Sequence, residues 1–222
     1  MRIFQDMFYY FTKRTIDIIG SLVSLIIFSP IIIFVALLVK STSPGPLFYN
    51  PLRVGKDGSQ FKMLKFRSMH MYKIKGTWVH AEKYLQSHPK LMRQYQENSF
   101  KLKRDPRITS VGKILRKFSL DELPQLVNVL IGDMSLVGPR AYQQDELIHQ
   151  QKVYPTTRKC VKIILTARPG ASGPWQVSGR SSINFDKRVE MDADYIKRKS
   201  ILYDLGIVIK TPIAMISTKG AI

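Results

Sequence analysis

Two adjacent carboxylates, Asp121 and Glu122, stand in the stretch SLDELPQ directly behind Lys101 to Lys117, where seven Lys/Arg face one acid, Asp105. An ionised carboxylate is a nucleophile, and neighbouring cations and a helix N-terminus both favour that ionised form. Further cations recur along the chain. Lys65 and Arg67 lie two apart in an extended run and so share one face, where they either hold a phosphate together or form a solvated strand edge. Arg116 stands next to last in the basic run, and Arg140 ends the turn-rich DMSLVGPR. Arg168 and Arg180 bracket a glycine-marked loop, RPGASGPWQVSGR, as phosphate contacts or as members of structural salt bridges. A second reading of the acids stays open: Ser119-x-x-Glu122 fits a capping box, with Asp121 complementing the helix dipole.

The charge balance bears on these readings. In 222 residues, 35 Lys+Arg against 16 Asp+Glu leave a formal charge of +19. That calls for a polyanionic partner: nucleic acid, anionic lipid or phosphorylated substrates. The single cysteine, Cys160, excludes an intrachain disulfide and fits a reducing cytosolic face. Four histidines without HExxH-type spacing give no zinc site.

The elements that must position these side chains begin with Ile18 to Val39, 22 residues without a charge. As a helix at about 1.5 Å per residue this run could cross a bilayer core of roughly 30 Å. Ser29-Pro30 at its middle predicts a kink or break, because proline lacks the amide donor and clashes with the preceding turn. Lys13 and Arg14 precede the run and Lys40, Arg53 and Lys56 follow it, so positive-inside bias draws both ends to the cytoplasm. A re-entrant helical hairpin is expected, with a kinked transmembrane helix as the alternative. Beyond the Ser43 to Pro46 turn, Leu47 to Val54 and Ser59 to Met69 read as strands joined through Gly55-Lys56-Asp57-Gly58. Tyr72 to about Phe100 reads as a helical surface excursion, and Asp121 to Ile131 as a helix closed by Gly132. The tail, Ile201 to Ser217, reads as a helix packed on the core or lying in the membrane interface. The expected fold is mixed α/β, with a small helix-rich core. Residues 1–40 form the membrane segment and 41–222 the catalytic domain.

The motifs KRTID (Lys13 to Asp17), SPGPLF (Ser43 to Phe48), RVGKDG (Arg53 to Gly58), KFRSM (Lys65 to Met69), DPRIT (Asp105 to Thr109), LRKFSLDELPQ (Leu115 to Gln125), NVLIGDMSLVGPR (Asn128 to Arg140) and WQVSGRS (Trp175 to Ser181) resemble the bacterial sugar transferase family. These are membrane-associated phosphoglycosyl transferases that start glycan assembly on a polyprenyl phosphate. The resemblance implies a monotopic protein on the cytoplasmic face of the bacterial inner membrane, with Ser29-Pro30 at the break of its re-entrant helix. It implies an Asp-Glu dyad, Asp121 as nucleophile beside Glu122, with Mg²⁺ at both. By the same resemblance Lys65, Arg116 and Arg140 are the phosphate ligands, with Arg67, Arg168 and Arg180 as further contacts, while Arg14 and Asp17 anchor the membrane helix. The implied partners are a UDP-sugar donor, undecaprenyl phosphate, the anionic membrane and a second copy of the chain. The middle insertion is similar to that of members transferring hexose 1-phosphates, and the length to that of short, catalytic-core members. Ala141, Pro51 and Pro174 depart from the family pattern without removing a charged candidate.

Such a transferase would need a basic surround, because a UDP-sugar's pyrophosphate repels an anionic nucleophile until it is neutralised. Two other classes compete: a non-enzymatic basic scaffold on anionic lipid, and a membrane-tethered nucleic-acid binder, which lacks any RNP-type or helix-turn-helix pattern.

Overall fold

The computed structural model describes residues 2–74, 76–81, 85–98, 102 and 105–217. Lys101, Lys103 and Arg104 of the basic run lie outside the described residues, as does part of the expected helical excursion.

One helix, α1 (Arg2–Thr42), contains the whole apolar run with Pro30 inside it. The expected break at Ser29-Pro30 is corrected to this extent: no loop separates two helices there, and the run stays one helix with Pro30 inside it. The reason is local. Pro30 cannot donate to the Ile26 carbonyl four residues back, and the Ser29 hydroxyl donates to that carbonyl instead, at 2.8 Å. The central side chains face outward, with Ile26, Ile27, Ile33 and Phe34 each more than half exposed.

The strands pair in twos. β1 (Phe48–Tyr49) and β2 (Leu52–Val54) run antiparallel to β4 (Lys65–Phe66) and β3 (Gln60–Lys62), giving the hairpin expected around Asp57-Gly58. Asp57 and Gly58 both take positive φ, the conformation that a tight reversal demands. Where a helical excursion was expected, β5 (Met71–Ile74) and β6 (Thr77–His80) first form a second hairpin about Gly76, whose φ is +81°. Only then comes α2 (Pro89–Glu97). The alternating Tyr72, Ile74, Trp78 pattern is a strand signal hidden in a polar stretch.

α3 (Ser110–Lys117) is capped by the Thr109 hydroxyl, which accepts from the Gly112 amide at 2.8 Å. The helix expected from Asp121 is shorter than anticipated. A 3₁₀ turn, Leu120–Glu122, precedes α4 (Gln125–Ile131), because Pro124 has no amide to give and suits only a helix start. β7 (Ser135–Val137) then lies parallel to β8 (Gly170–Ser172). Gly138 and Gly170 cross closely here: a Cβ on Gly170 would stand 2.1 Å from the Gly138 nitrogen. Those two glycines hold the VGPR and RPG loops together.

Around this pair pack α5 (Gln144–Val153), α6 (Arg158–Ile164), α7 (Pro174–Ser178), α8 (Phe185–Arg198) and α9 (Ile201–Ser217). Pro174, one of the departures from the family pattern, takes the first turn of α7, where no amide is needed. The largest core cluster sets Tyr142 and Leu147 against Val161 and Ile164 of α6 and Phe185 and Val189 of α8. A second joins Phe61 and Met63 of the hairpin to Val129 and Met134. A third ties Val35 and Val39 of α1 to Phe66 and Leu115. α9 buries Ile207 while Leu202, Ile209 and Ile216 remain 70% or more exposed.

Candidate active site

The dyad sits on the 3₁₀ turn between α3 and α4. Ser119, immediately before it, has φ +53° and makes no side-chain cap bond, so the capping-box reading fails on geometry. An N-cap needs an extended residue whose hydroxyl meets a first-turn amide. Of three described non-glycine residues with positive φ, Ser119 precedes the dyad and Arg180 stands beside it; the third is Asp57 in the hairpin turn. Such conformations cost about 1–2 kcal/mol per residue and collect at functional sites.

Asp121 is 5% exposed. Burial, reinforced by the charge of Glu122, pushes its carboxyl above the ordinary range against the pull of Lys65 and Arg116. That corrects the simple expectation of an aspartate kept ionised by cations. The lysine goes to the neighbour: Lys65 Nζ donates to Glu122 Oε1 at 2.6 Å, with both side chains at most one-quarter exposed. Burial would push Glu122 up as well, but Lys65, helped by Arg140 and Arg180, holds it below the usual carboxylate range. Two adjacent acids are thereby driven apart, Glu122 downward and Asp121 upward.

What brings Lys65 to Glu122 is Asn128 of α4, 1% exposed. Its Oδ1 accepts from the Leu64 amide at 2.8 Å, and its Nδ2 donates to the Lys62 carbonyl at 2.9 Å and to Asp133 Oδ2 at 3.1 Å. It staples the hairpin to the helix that follows the dyad. Sequence reasoning missed this residue, although an asparagine inside the apolar LVNVLI is the kind of polar residue that must find partners when buried.

The other arginines divide. Arg180 is 5% exposed, and its Nη1 reaches the Lys117 carbonyl at a long 3.4 Å. Among the described residues its Nε and Nη2 are buried with no hydrogen-bond acceptor. Arg140 stacks its guanidinium 4.6 Å from the Trp175 ring centre, with Nε likewise unbonded. Arg116 is half-buried, its charge acting on Asp121. Lys65, Arg116, Arg140 and Arg180 thus surround the dyad. Orphaned buried guanidinium nitrogens are costly unless an anion meets them.

Arg67 and Arg168 do not join them. Arg67, 1% exposed, donates to the carbonyls of Ser43 (2.7 Å), Val39 (3.4 Å) and Pro44, and so caps the C-terminus of α1. Strand alternation placed it beside Lys65, but the helix end claims it. Arg168 donates from Nε to the Gly132 carbonyl at 2.7 Å, while Arg14 donates to the Val129 and Leu130 carbonyls at 2.7 and 2.9 Å. Together they cap α4. Asp17 is an anchor as expected, accepting from the Ser135 hydroxyl at 3.0 Å and the Leu136 amide at 2.9 Å.

Among the described residues no group of three His, Cys, Asp or Glu could enclose a metal. The dyad offers two carboxylates, the number that suits Mg²⁺ when waters and substrate phosphates complete its shell.

Against known proteins, the family model described as "Bacterial sugar transferase" matches residues 8–218. The chain is 40% identical over 209 residues to the "Exopolysaccharide production protein ExoY" of Rhizobium meliloti (strain 1021), covering 94% of this chain and 87% of that one. It is 44% identical over 213 residues to the "Undecaprenyl-phosphate galactose phosphotransferase" of Salmonella typhimurium, covering 95% of this chain but 42% of that one. It is 36% identical over 204 residues to the "UDP-glucose:undecaprenyl-phosphate glucose-1-phosphate transferase" of Escherichia coli (strain K12), covering 90% and 39%.

Proposed function

We propose a specific reaction on one premise: this chain belongs to the bacterial sugar transferase family, and it is an enzyme of that class. The reaction moves a hexose 1-phosphate from a UDP-sugar to undecaprenyl phosphate and releases UMP, as the first membrane step of an exopolysaccharide, capsule or O-antigen. Galactose and glucose are the first donors to test, because they appear in the names of similar proteins. The observation that carries the reading is the split dyad: Glu122 occupied by Lys65, and buried Asp121 beside it within a ring of arginines.

In the first step an Asp121 carboxylate oxygen attacks the phosphorus that bears the sugar. The bond from that phosphorus to the bridging oxygen breaks, and UMP leaves with the electron pair. The product is an acyl-phosphate on Asp121 carrying the sugar. In the second step an oxygen of the lipid phosphate attacks the same phosphorus, the Asp121–phosphorus bond breaks, and a lipid diphosphosugar leaves. Arg140 and Arg180 are suited to receive the nucleotide phosphates, since their unbonded nitrogens can meet phosphate oxygens. Mg²⁺ held at Asp121 and Glu122 would neutralise charge on the pyrophosphate. Lys65, by holding Glu122, leaves Asp121 as the free nucleophile.

The re-entrant topology is part of the proposal, now as a single helix. On one side of the apolar run, Arg14 and Asp17 fasten to α4 and β7; on the other, Val35 and Val39 pack on Phe66 and Leu115. A crossing would put those two sets of contacts on opposite sides of a core about 30 Å thick. A helix tied on both sides to one body, and bent at the Pro30 inside it, dips into one leaflet and returns, on the cytoplasmic face. The test is UMP release from a panel of UDP-sugars by solubilised protein with undecaprenyl phosphate and Mg²⁺. Wild type should release UMP from one hexose donor and Asp121→Asn from none; equal release by both would sink the assignment.

A further inference from the structure

A second basic pocket lies at the opposite end of α4 from the dyad. Five cations line it: Lys13, Arg14, Lys56, Arg168 and Lys199. Neither dyad residue does. Its one acid, Asp17, is 3% exposed and already bonded to Ser135 and Leu136. Two cations are committed inward, Lys13 to Asp204 at 2.8 Å and Arg14 to the carbonyls of α4. Among the described residues Lys56 pairs with the exposed Asp57, at 3.8 Å. Arg168 is exposed and, among the described residues, bonds through Nε alone. Its outer guanidinium edge can still clamp a phosphate.

The depth of this pocket identifies the phosphate. It is bounded by Tyr9 and Tyr10, about two helical turns before the apolar run of α1, and by Lys199 just before the apolar helix α9. The Lys199 ammonium stands 4.1 Å from the Tyr10 ring centre, and its Nζ donates to the Tyr10 hydroxyl at 2.6 Å. Tyrosines and lysines at the ends of apolar helices sit at headgroup level. The exposed apolar sides of the two flanking helices favour a phosphate carried by a lipid over a soluble one. We propose that this pocket binds the phosphate headgroup of an anionic bilayer phospholipid, as a structural lipid site separate from the catalytic one. Phosphate oxygens meet Arg168, Lys56 and Lys199, while the acyl chains follow the exposed apolar sides of α1 and α9. The bound lipid then cements the joint between those helices.

The test is native mass spectrometry of the detergent-solubilised full chain, titrated separately with phosphatidylglycerol, phosphatidylcholine and inorganic phosphate. The proteins are wild type, Arg168→Gln/Lys199→Gln, and a charge-matched control, Lys90→Gln/Lys159→Gln, at exposed positions away from the pocket. Circular dichroism checks that each is folded. Wild type and control should retain one phosphatidylglycerol in preference to phosphatidylcholine. The pocket variant should bind it at least tenfold more weakly, from roughly fivefold per cation near an anionic lipid. Equal retention by the pocket variant, or equal loss in the control, overturns the site. Arg168-dependent binding of inorganic phosphate without lipid preference overturns the lipid assignment. None of these outcomes depends on UMP release, so a failed transferase assay leaves this result to stand or fall alone.

Discussion

Asp121 and Glu122 differ by one position in sequence, and the fold gives them opposite electrostatics. Burial raises Asp121, whereas Lys65 keeps Glu122 anionic. Losing the nucleophile in Asp121→Asn should lower turnover by about 10³-fold or more, with melting temperature little changed. A protonated Asp121 also competes with metal, so the apparent Mg²⁺ affinity should rise with pH above the ordinary carboxylate range; a flat affinity would remove Asp121 from the metal site. Ser119 carries backbone strain for the dyad: Ser119→Gly should be neutral to about 1 kcal/mol stabilising, and Ser119→Val destabilising by about 1–2 kcal/mol, in thermal melts. Asp192 gives a separate pH signature. It is fully buried and accepts from the Arg140 amide at 2.9 Å, and burial, against the pull of that bond and of Arg188, pushes it up to about 7. The folded state therefore holds a proton that the unfolded state loses near pH 4. Stability from this group is complete below that pH and falls until about pH 7. Asp192→Asn should flatten that slope in denaturation measured from pH 4 to 8.

At the scale of elements, each cation's job is set by which helix end it meets. Lys65 and Arg67 were legible as a pair on one strand, and Asp17 and Arg14 as anchors. That Arg67 would turn to the last carbonyls of α1 was not legible, because it depends on a contact between positions more than twenty residues apart. The bond from Arg168 to the Gly132 carbonyl was not legible for the same reason. The Asp57-Gly58 hairpin could be read because turn chemistry is local. The β5–β6 hairpin was overlooked because its signal, a short alternation about one glycine, is hidden in a polar stretch. Asn128 shows how much one staple can hold. Asn128→Ala leaves the Leu64 amide and Lys62 carbonyl unbonded and should cost about 2–4 kcal/mol. It should also lower turnover by letting Lys65 drift from Glu122; unchanged turnover in a folded variant would show that Lys65 needs no such support. In α1, Ser29→Ala removes the hydroxyl that replaces the missing proline amide, and should reduce the yield of membrane-inserted, folded protein in a detergent-extraction assay.

For the whole molecule, the charge of +19 reads as two tasks: cations near the dyad for phosphates that react, and cations at the helix ends for the membrane that holds the enzyme. The apolar run announced the membrane in sequence. That it is a single helix fastened on both sides to one body became visible only when Arg14, Asp17, Val35 and Val39 could be placed. The proposed one-leaflet arrangement would set Asp121 beside the bilayer, where a lipid phosphate can arrive and water is scarce, as the proposed acyl-phosphate requires. The central claim is that covalent intermediate. The measurement is intact-protein mass spectrometry after rapid quenching of the enzyme with Mg²⁺ and its UDP-hexose, without lipid acceptor. A mass increase of one hexose phosphate, located on the peptide containing Asp121 and discharged by undecaprenyl phosphate, is the expected result. UMP release at the wild-type rate with no adduct at any quench time, or an adduct that persists in Asp121→Asn, would contradict it.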